Sequence, residues 1–162
     1  MNKNKRMKSG MNQSKINDKK REKLSELLEI LKKKAMYSSI NYKHAAALIY
    51  KGEVINLDFN KFVRPVTIYG DNNIFYRTIH AEVNVLCSYH DRKNIKGMDI
   101  VVIRVSNNKL KNSRPCNNCI LKLNKMGIFR VYYSNESGEI VYEYVKDMPK
   151  EHISSGNYKR FL

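Results

Sequence analysis

The order of helical and strand patterns along the 162 residues predicts one α/β domain, a three-layer α/β/α sandwich with a mixed central sheet of about five strands. Leucines recur at helical spacing between residues 24 and 31, which predicts an amphipathic helix over about 17–36. A near-continuous apolar run over 98–105 is typical of a central strand covered on both faces. The strand-helix-strand unit around 99–133 should be parallel and right-handed, which brings the loops before the helices to one edge of the sheet.

The first elements after the opening helix are expected to be two strands and a loop. Residues 44–50 and 53–59 have strand character, and the dipeptide Lys51-Gly52 between them predicts a tight hairpin turn. Residues 60–78 mix proline, glycine, aspartate and asparagine with aromatic residues. We therefore expect a loop there that is long enough to carry function.

The second half of the domain alternates helices and strands. Thr78 is expected to cap a helix that runs from near His80 to about His90. A polar loop over 106–114 leads from the central strand to a helix over about 117–126, which ends at the helix-terminating residue Gly127. The last predicted strands are 128–133 and 139–145.

Composition indicates a folded protein of the cytoplasm. The hydrophobic content is 42%, no run of 18 apolar residues exists, and the basic start is not followed by an apolar signal core, so we expect no membrane contact. We divide the chain into a basic disordered arm over 1–17, a folded domain over 18–150 and a tail over 151–162. Two of the three cysteines form a C-x-x-C pair, which in this compartment indicates metal or redox chemistry.

The net charge of +16 suggests a second kind of partner. Residues 1–23 hold nine lysines and arginines against two acids, so the arm could bind nucleic acid by neutralising phosphates. The alternative is a general excess of lysine over the whole chain, which gives a solvated surface without a specific partner.

Two short motifs are the candidates for chemistry. His80-Ala81-Glu82 and Cys116-Asn117-Asn118-Cys119 each open a predicted helix. One imidazole and two thiolates are zinc ligands, and three protein ligands leave the fourth tetrahedral position open for a reactive water. The positive end of the helix dipole favours thiolates there, and the metal lowers the pKa of its water to about 7.

Glu82 is the residue expected to move protons. It would take a proton from the activated water, pass it to a ring nitrogen and later protonate a departing amino group. Two structural alternatives remain open: a redox pair at the cysteines, or a closed zinc site completed by His44 or His90.

Together the two motifs resemble the signature of the cytidine deaminase superfamily, H-x-E followed by P-C-x-x-C, and the similarity spans about 38–145. The resemblance implies the fold of that superfamily, one zinc ion held by His80, Cys116 and Cys119, and Glu82 as the catalytic proton shuttle. The segment H-A-E-V-N-V-L is most similar to deoxycytidylate deaminases. This favours a hydrolase in which zinc hydroxide attacks C4 of a dCMP- or CMP-type nucleotide and ammonia is released.

The resemblance also suggests substrate contacts. Asn60, at the end of the hairpin, is similar to an asparagine that binds the substrate sugar, and Ala81 lies between the two catalytic positions. Arg114 could pair with a phosphate, as could Arg77 or Arg64. The gap of 36 positions between His80 and Cys116 is wide for the family, and the extra length falls in 106–114.

Two further functions are compatible with the sequence. A polynucleotide deaminase, acting on tRNA adenosine or single-stranded nucleic acid, would use the basic arm and the loop aromatics Tyr69, Phe75 and Tyr76 to hold the strand. An inactive member of the fold would only bind nucleic acid, although the intact Glu82 argues against it. Superfamily members often assemble as dimers or hexamers, so a homo-oligomer is expected.

Overall fold

The computed structural model describes residues 18–67 and 74–149, and these fold into three layers as the sequence predicts. Three helices alternate with strands, and two short 3-10 turns follow α2 and the last strand. In chain order the elements are α1 (Asp18–Ala35), β1 (Lys43–Tyr50), β2 (Glu53–Phe59), β3 (Lys61–Thr67), β4 (Ile74–Ile79), α2 (Ala81–Ser88), β5 (Asp99–Ser106), β6 (Lys109–Lys111), α3 (Asn117–Lys125), β7 (Arg130–Ser134) and β8 (Ile140–Tyr144).

The main sheet is mixed and has the order β2-β1-β5-β7-β8, with β6 paired to the end of β5. Strand β1 is antiparallel to both β2 and β5, and β7 is antiparallel to β8. Strands β5 and β7 are parallel, which confirms the expectation for the unit that contains α3. The helix of that unit therefore crosses one face of the sheet.

Helix α1 covers the opposite face. Its buried side chains Leu27, Leu31 and Ala35 pack on Ala45 and Ala47 of β1 and on apolar residues of β5. The small alanine side chains let the helix come close to the strand, and the regular spacing of the leucines supplies the buried stripe.

Helices α2 and α3 form the third layer. Successive strand residues point to opposite faces, so Ala46 and Leu48 of β1 lie on the side away from α1. They join one apolar cluster with Val85 of α2 and Leu123 of α3. The starts of these two helices are thus held on the same face of the sheet.

The β1–β2 hairpin has the predicted turn. Lys51 and Gly52 adopt φ angles of 48° and 81°. Positive φ at both central residues is the geometry of a type I′ turn, whose twist matches that of the two strands.

The segment 60–78 differs from the predicted loop. Strands β3 and β4 pair antiparallel in a separate two-stranded sheet, and 68–73 lie outside the described residues. Thr78 is a strand residue opposite Phe62, so the predicted helix cap at Thr78 is wrong, and His80 is the N-cap of α2. β-Branched and aromatic residues on both sides of the turn residues favour strand pairing over a loop.

The polar segment 106–114 also contains a strand. Asn107 and Asn108 have φ angles of 49° and 59°, and they turn the chain so that β6 pairs with the end of β5. Asparagine tolerates this left-handed conformation better than most residues, so a polar pair closes a hairpin here.

The ends of the chain lie beyond the described residues. The arm predicted over 1–17 and the tail predicted over 151–162 are both outside the described ranges. Within those ranges, no helix is long and apolar enough to cross a membrane.

Truncation of Leu31 should show that α1 is a structural layer. Leu31 is fully buried, so we expect Leu31→Ala to lower the free energy of unfolding by about 2–5 kcal/mol through lost burial and a cavity. The neighbouring Ile30 is 51% exposed, so Ile30→Ala should change the free energy of unfolding by less than about 0.5 kcal/mol. Urea unfolding of both variants measures the difference, and equal losses would contradict the packing of α1 described above.

Candidate active site

Two helix N-termini meet on the face covered by α2 and α3. His80 is the N-cap of α2 and Cys116 is the N-cap of α3, and both have extended backbone conformations. The His80 imidazole makes no capping hydrogen bond to α2, and the Cys116 sulfur accepts a hydrogen bond from the Cys119 thiol. Both side chains are therefore directed to one common partner.

That partner is a cluster of three potential metal ligands. The ligand atoms of His80, Cys116 and Cys119 all lie within 4.8 Å of one another. The His80 Nδ1 atom is 3.6 Å from Cys116 Sγ and 3.3 Å from Cys119 Sγ. A tetrahedral zinc ion, with bonds of about 2.3 Å to sulfur and about 2.05 Å to nitrogen, separates such atoms by about 3.6 Å.

The donor set and its dimensions thus fit zinc. Within the described part of the chain this is the one cluster of this kind, and neither His44 nor His90 belongs to it. The fold therefore does not supply His44 or His90 as the fourth ligand that a closed zinc site would need. A site with three protein ligands keeps one coordination position open.

The thiols and the imidazole are electrostatically coupled. The pKa of Cys116 is lowered to about 3, because its sulfur accepts a hydrogen bond from the Cys119 thiol and lies beside His80. The same hydrogen bond, together with burial, raises the pKa of Cys119. The pKa of His80 is raised by its hydrogen bond with Cys116. The site therefore offers a thiolate at neutral pH, the form that binds metals.

Glu82 lies in the first turn of α2, next to the cluster but outside it. Its side chain is 4% exposed, and this burial raises the pKa of the carboxyl group above its usual value. The charge of His80 and a hydrogen bond from Cys119 act in the opposite direction. A buried carboxyl group whose pKa lies above its usual value holds a proton more readily, as a group that both accepts and donates protons must.

Two asparagines tie α2 to the edge strand β2. The amide nitrogen of Asn84 donates to the Phe59 carbonyl at 2.8 Å, and that of Asn56 donates to the Val85 carbonyl at 2.8 Å. These bonds fix the depth of α2 and thus of His80 and Glu82 over the sheet. Neither asparagine was predicted from the sequence to have a role, although Asn84 is the asparagine of the H-A-E-V-N segment.

Asn60 is buried at the junction of β2 and β3. Its Oδ1 accepts from the His44 backbone N–H at 2.8 Å, and its Nδ2 donates to the Tyr42 carbonyl at 2.7 Å. One N–H of its amide is not used by these bonds. Contact between Asn60 and a sugar stays a prediction.

Arg114, immediately before Pro115 and Cys116, is paired inside the protein. Its Nε donates to Glu143 of β8 at 3.0 Å and its Nη2 donates to the Pro149 carbonyl at 3.1 Å. Tyr133 also donates to Glu143. The Arg114–Glu143 pair fixes the loop that carries Cys116. A phosphate contact by Arg114 stays a prediction.

The other predicted contacts are distributed as follows. Ala81 is fully buried at the first position of α2, and Arg77 is exposed on β4. The side chains of Arg64, Phe75 and Tyr76 and the whole of Tyr69 lie outside the described residues.

His44, which the sequence left open as a fourth metal ligand, lies outside the metal-ligand cluster. It lies on β1, where its Nδ1 is 3.0 Å from the Tyr42 carbonyl. Its pKa is lowered to about 4, chiefly by burial and further by the charges of Arg104 and His80. The imidazole is therefore neutral at pH 7, with Nδ1 as the donor and Nε2 as the acceptor nitrogen.

The molecule is similar to two solved structures, both of dCMP deaminase from the cyanophage S-TIM5. The complex with dCMP and dUMP is 17% identical, covers 75% of this chain and 85% of that chain, and has a TM-score of 0.49. The apo form is 20% identical, covers 75% of this chain and 87% of that chain, and has a TM-score of 0.49. No curated protein matches the chain.

The sequence also matches the profile of the cytidine and deoxycytidylate deaminase zinc-binding region over residues 3–135. This range includes His80, Glu82 and both cysteines of the cluster, and it spans most of the chain. The protein therefore belongs to the cytidine and deoxycytidylate deaminase family of zinc-dependent hydrolases.

Proposed function

We propose that the protein hydrolyses the amino group of a cytosine nucleotide of the dCMP or CMP type and releases ammonia. The observation that carries the proposal is the position of Glu82, a buried carboxyl group beside a cluster of three metal ligands. A metal site with a purely structural role has no need of a buried, proton-carrying group at an open coordination position.

The residues have separate tasks in this reaction. His80, Cys116 and Cys119 would hold one zinc ion, which when bound supplies the activation of water for attack on C4 of the base. Glu82 takes up a proton from that water because burial has raised the pKa of its carboxyl group. It then delivers this proton to N3 of the ring, takes up the remaining proton of the hydroxyl added at C4, and passes it to the amino group, which leaves as ammonia as the C4 carbonyl forms.

Asn60, Ala81 and Arg114 are the proposed substrate contacts. Asn60 has one amide N–H left to donate to a sugar hydroxyl. Ala81 has no reactive side chain, so its contribution would come from the backbone at the start of α2. Arg114 could offer its Nη1 group and the second N–H of Nη2, since Nε donates to Glu143 and one Nη2 N–H donates to the Pro149 carbonyl.

A polynucleotide deaminase is the second candidate, and the net charge of +16 favours it. The two functions are distinguished by which substrate the protein turns over. Ammonia release from dCMP, CMP and deoxycytidine supports the first, and turnover of single-stranded DNA or tRNA alone supports the second.

Substitution of Glu82 should separate chemistry from metal binding. Because Glu82 is not one of the three ligands, Glu82→Gln should keep one zinc per chain while kcat for dCMP falls at least ~10²-fold. Glu53→Gln, at an exposed position on β2, is the matched control and should retain wild-type turnover. Ammonia release and zinc content are measured on the same samples. Full activity of Glu82→Gln at normal zinc content would exclude the proposed proton carrier.

The three cysteines provide a second test. Cys116→Ala and Cys119→Ala each remove a ligand, so we expect zinc content to fall below half an equivalent and deaminase activity to be lost. Cys87→Ala, on the same layer but outside the cluster, should keep both. Metal analysis after dialysis against a chelator distinguishes the variants, and zinc retained by Cys119→Ala would show that the ion binds elsewhere.

A further inference from the structure

Three basic side chains lie in a row across β1, β5 and β6. In the antiparallel registers, His44 is directly opposite Arg104, and Arg104 is directly opposite Lys111. Residues opposite each other in antiparallel strands point to the same face. His44, Arg104 and Lys111 therefore form one transverse row, which we call the basic row.

The basic row is on the face that carries the metal-ligand cluster. Ala46 and Leu48 of β1 pack with α2 and α3, and His44 has the same parity along that strand. Arg104 lies near the carboxyl end of β5, the end from which the chain leads to Cys116 at the start of α3. The row and the metal-ligand cluster thus share one face and one end of the sheet.

Arg104 is unusual because a part of its charged group is buried without a partner. Its Nε atom is inaccessible to solvent and makes no hydrogen bond in the described part of the chain. Its guanidinium carbon is 4.6 Å from the centre of the Tyr42 ring, so the cation stacks on an aromatic face. No carboxylate of the described residues lies within 4.0 Å of it.

The other partly buried arginines are neutralised within the protein. Arg114 pairs with Glu143 at 3.0 Å, and Arg130 pairs with Asp99 at 2.6 Å. A buried polar donor without a partner costs free energy, and the cost is larger when the group is charged. Among the described residues, Arg104 is therefore the partly buried arginine that has no carboxylate partner within the protein.

We propose that the basic row is a phosphate subsite, in which Arg104 binds a phosphate oxygen of the substrate and Lys111 adds a second positive charge. The guanidinium fork matches the geometry of phosphate oxygens, and stacking on Tyr42 orients it in advance. The proposal rests on the proposed function, since a cytosine nucleotide supplies the phosphate. The phosphate is either the 5′-phosphate of a free nucleotide or a phosphate of a polynucleotide strand.

The β5–β6 hairpin makes the row possible. It places Lys111 beside Arg104 in a segment that is longer than the family pattern leads one to expect. His44 adds no third positive charge at neutral pH, because its pKa is near 4. The row thus holds two cations and one neutral acceptor at Nε2, which can bind a phosphate hydroxyl or a bridging water.

The test compares a substrate that has a phosphate with one that lacks it. For Arg104→Gln we expect kcat/KM for dCMP to fall about 10–100-fold, the scale of one hydrogen-bonded charge, with less than a two-fold change for deoxycytidine. Lys111→Ala, at an exposed position that tolerates truncation, should give a smaller loss in the same direction. Lys51→Ala, in the turn at the far end of β1, removes the same charge away from the site and should have no effect.

Binding measurements keep the test valid if no turnover is seen. Calorimetric titration of zinc-loaded Glu82→Ala protein with dCMP, deoxycytidine and inorganic phosphate should show that Arg104→Gln in this background weakens only the phosphorylated ligands. Failure of every deaminase assay would remove the proposed function, whereas the binding pattern would still decide on the subsite. Equal weakening of dCMP and deoxycytidine, or loss with Arg114→Gln but not with Arg104→Gln, would overturn the proposal.

The same variants identify the source of the phosphate. If the Arg104 variant loses affinity only for single-stranded oligodeoxycytidine, the subsite binds the backbone of a strand. If it loses affinity for dCMP, the subsite binds a free nucleotide. Arg104→Lys, which keeps the charge but lacks Nε, should retain part of the affinity. If it binds dCMP as tightly as the wild type does, the orphaned Nε has no part in binding.

Discussion

Parallel pairing between β5 and β7 holds the candidate site together, because it obliges α3 to cross the sheet on the face where α2 also lies. The thiols of Cys116 and Cys119 then reach the imidazole of His80 across 36 or more positions of sequence. An antiparallel pairing of these strands would need no crossover helix. The cysteines would then have no reason to lie near the start of α2.

Side-chain hydrogen bonds around α2 make the placement of the metal ligands accurate. Asn84 and Asn56 bind α2 to β2, while Asn60, between β2 and β3, accepts a hydrogen bond from the backbone of β1. Side-chain amides bonded to backbone carbonyls set positions more specifically than apolar packing does, since hydrogen bonds are directional. A metal cluster with ligand separations of 3.3 and 3.6 Å needs that accuracy.

The partly buried charges fall into two groups with different physical roles. The pairs Arg114–Glu143 and Arg130–Asp99 are complete within the protein and support the structure. Glu82 and Arg104 have no ion-pair partner among the described residues: the pKa of Glu82 is raised by burial, and Arg104 has an unsatisfied donor. Buried groups with a shifted pKa or an unsatisfied donor are expected at sites that act on ligands. Both occur on the face of the sheet that carries the metal-ligand cluster.

The sequence by itself determined the layers, the β1–β2 hairpin and the residues of the metal-ligand cluster, because periodicity, turn chemistry and ligand spacing are local properties. The tertiary structure decided that β3 and β4 pair where a loop was predicted, that Arg114 is paired with Glu143, and that Arg104 has no carboxylate partner among the described residues. These outcomes depend on partners that strand register and the crossover connection bring together; Arg114 and Glu143, for example, are 29 positions apart in the sequence. Local patterns hold no information about such pairings, so they emerge only when the chain is folded.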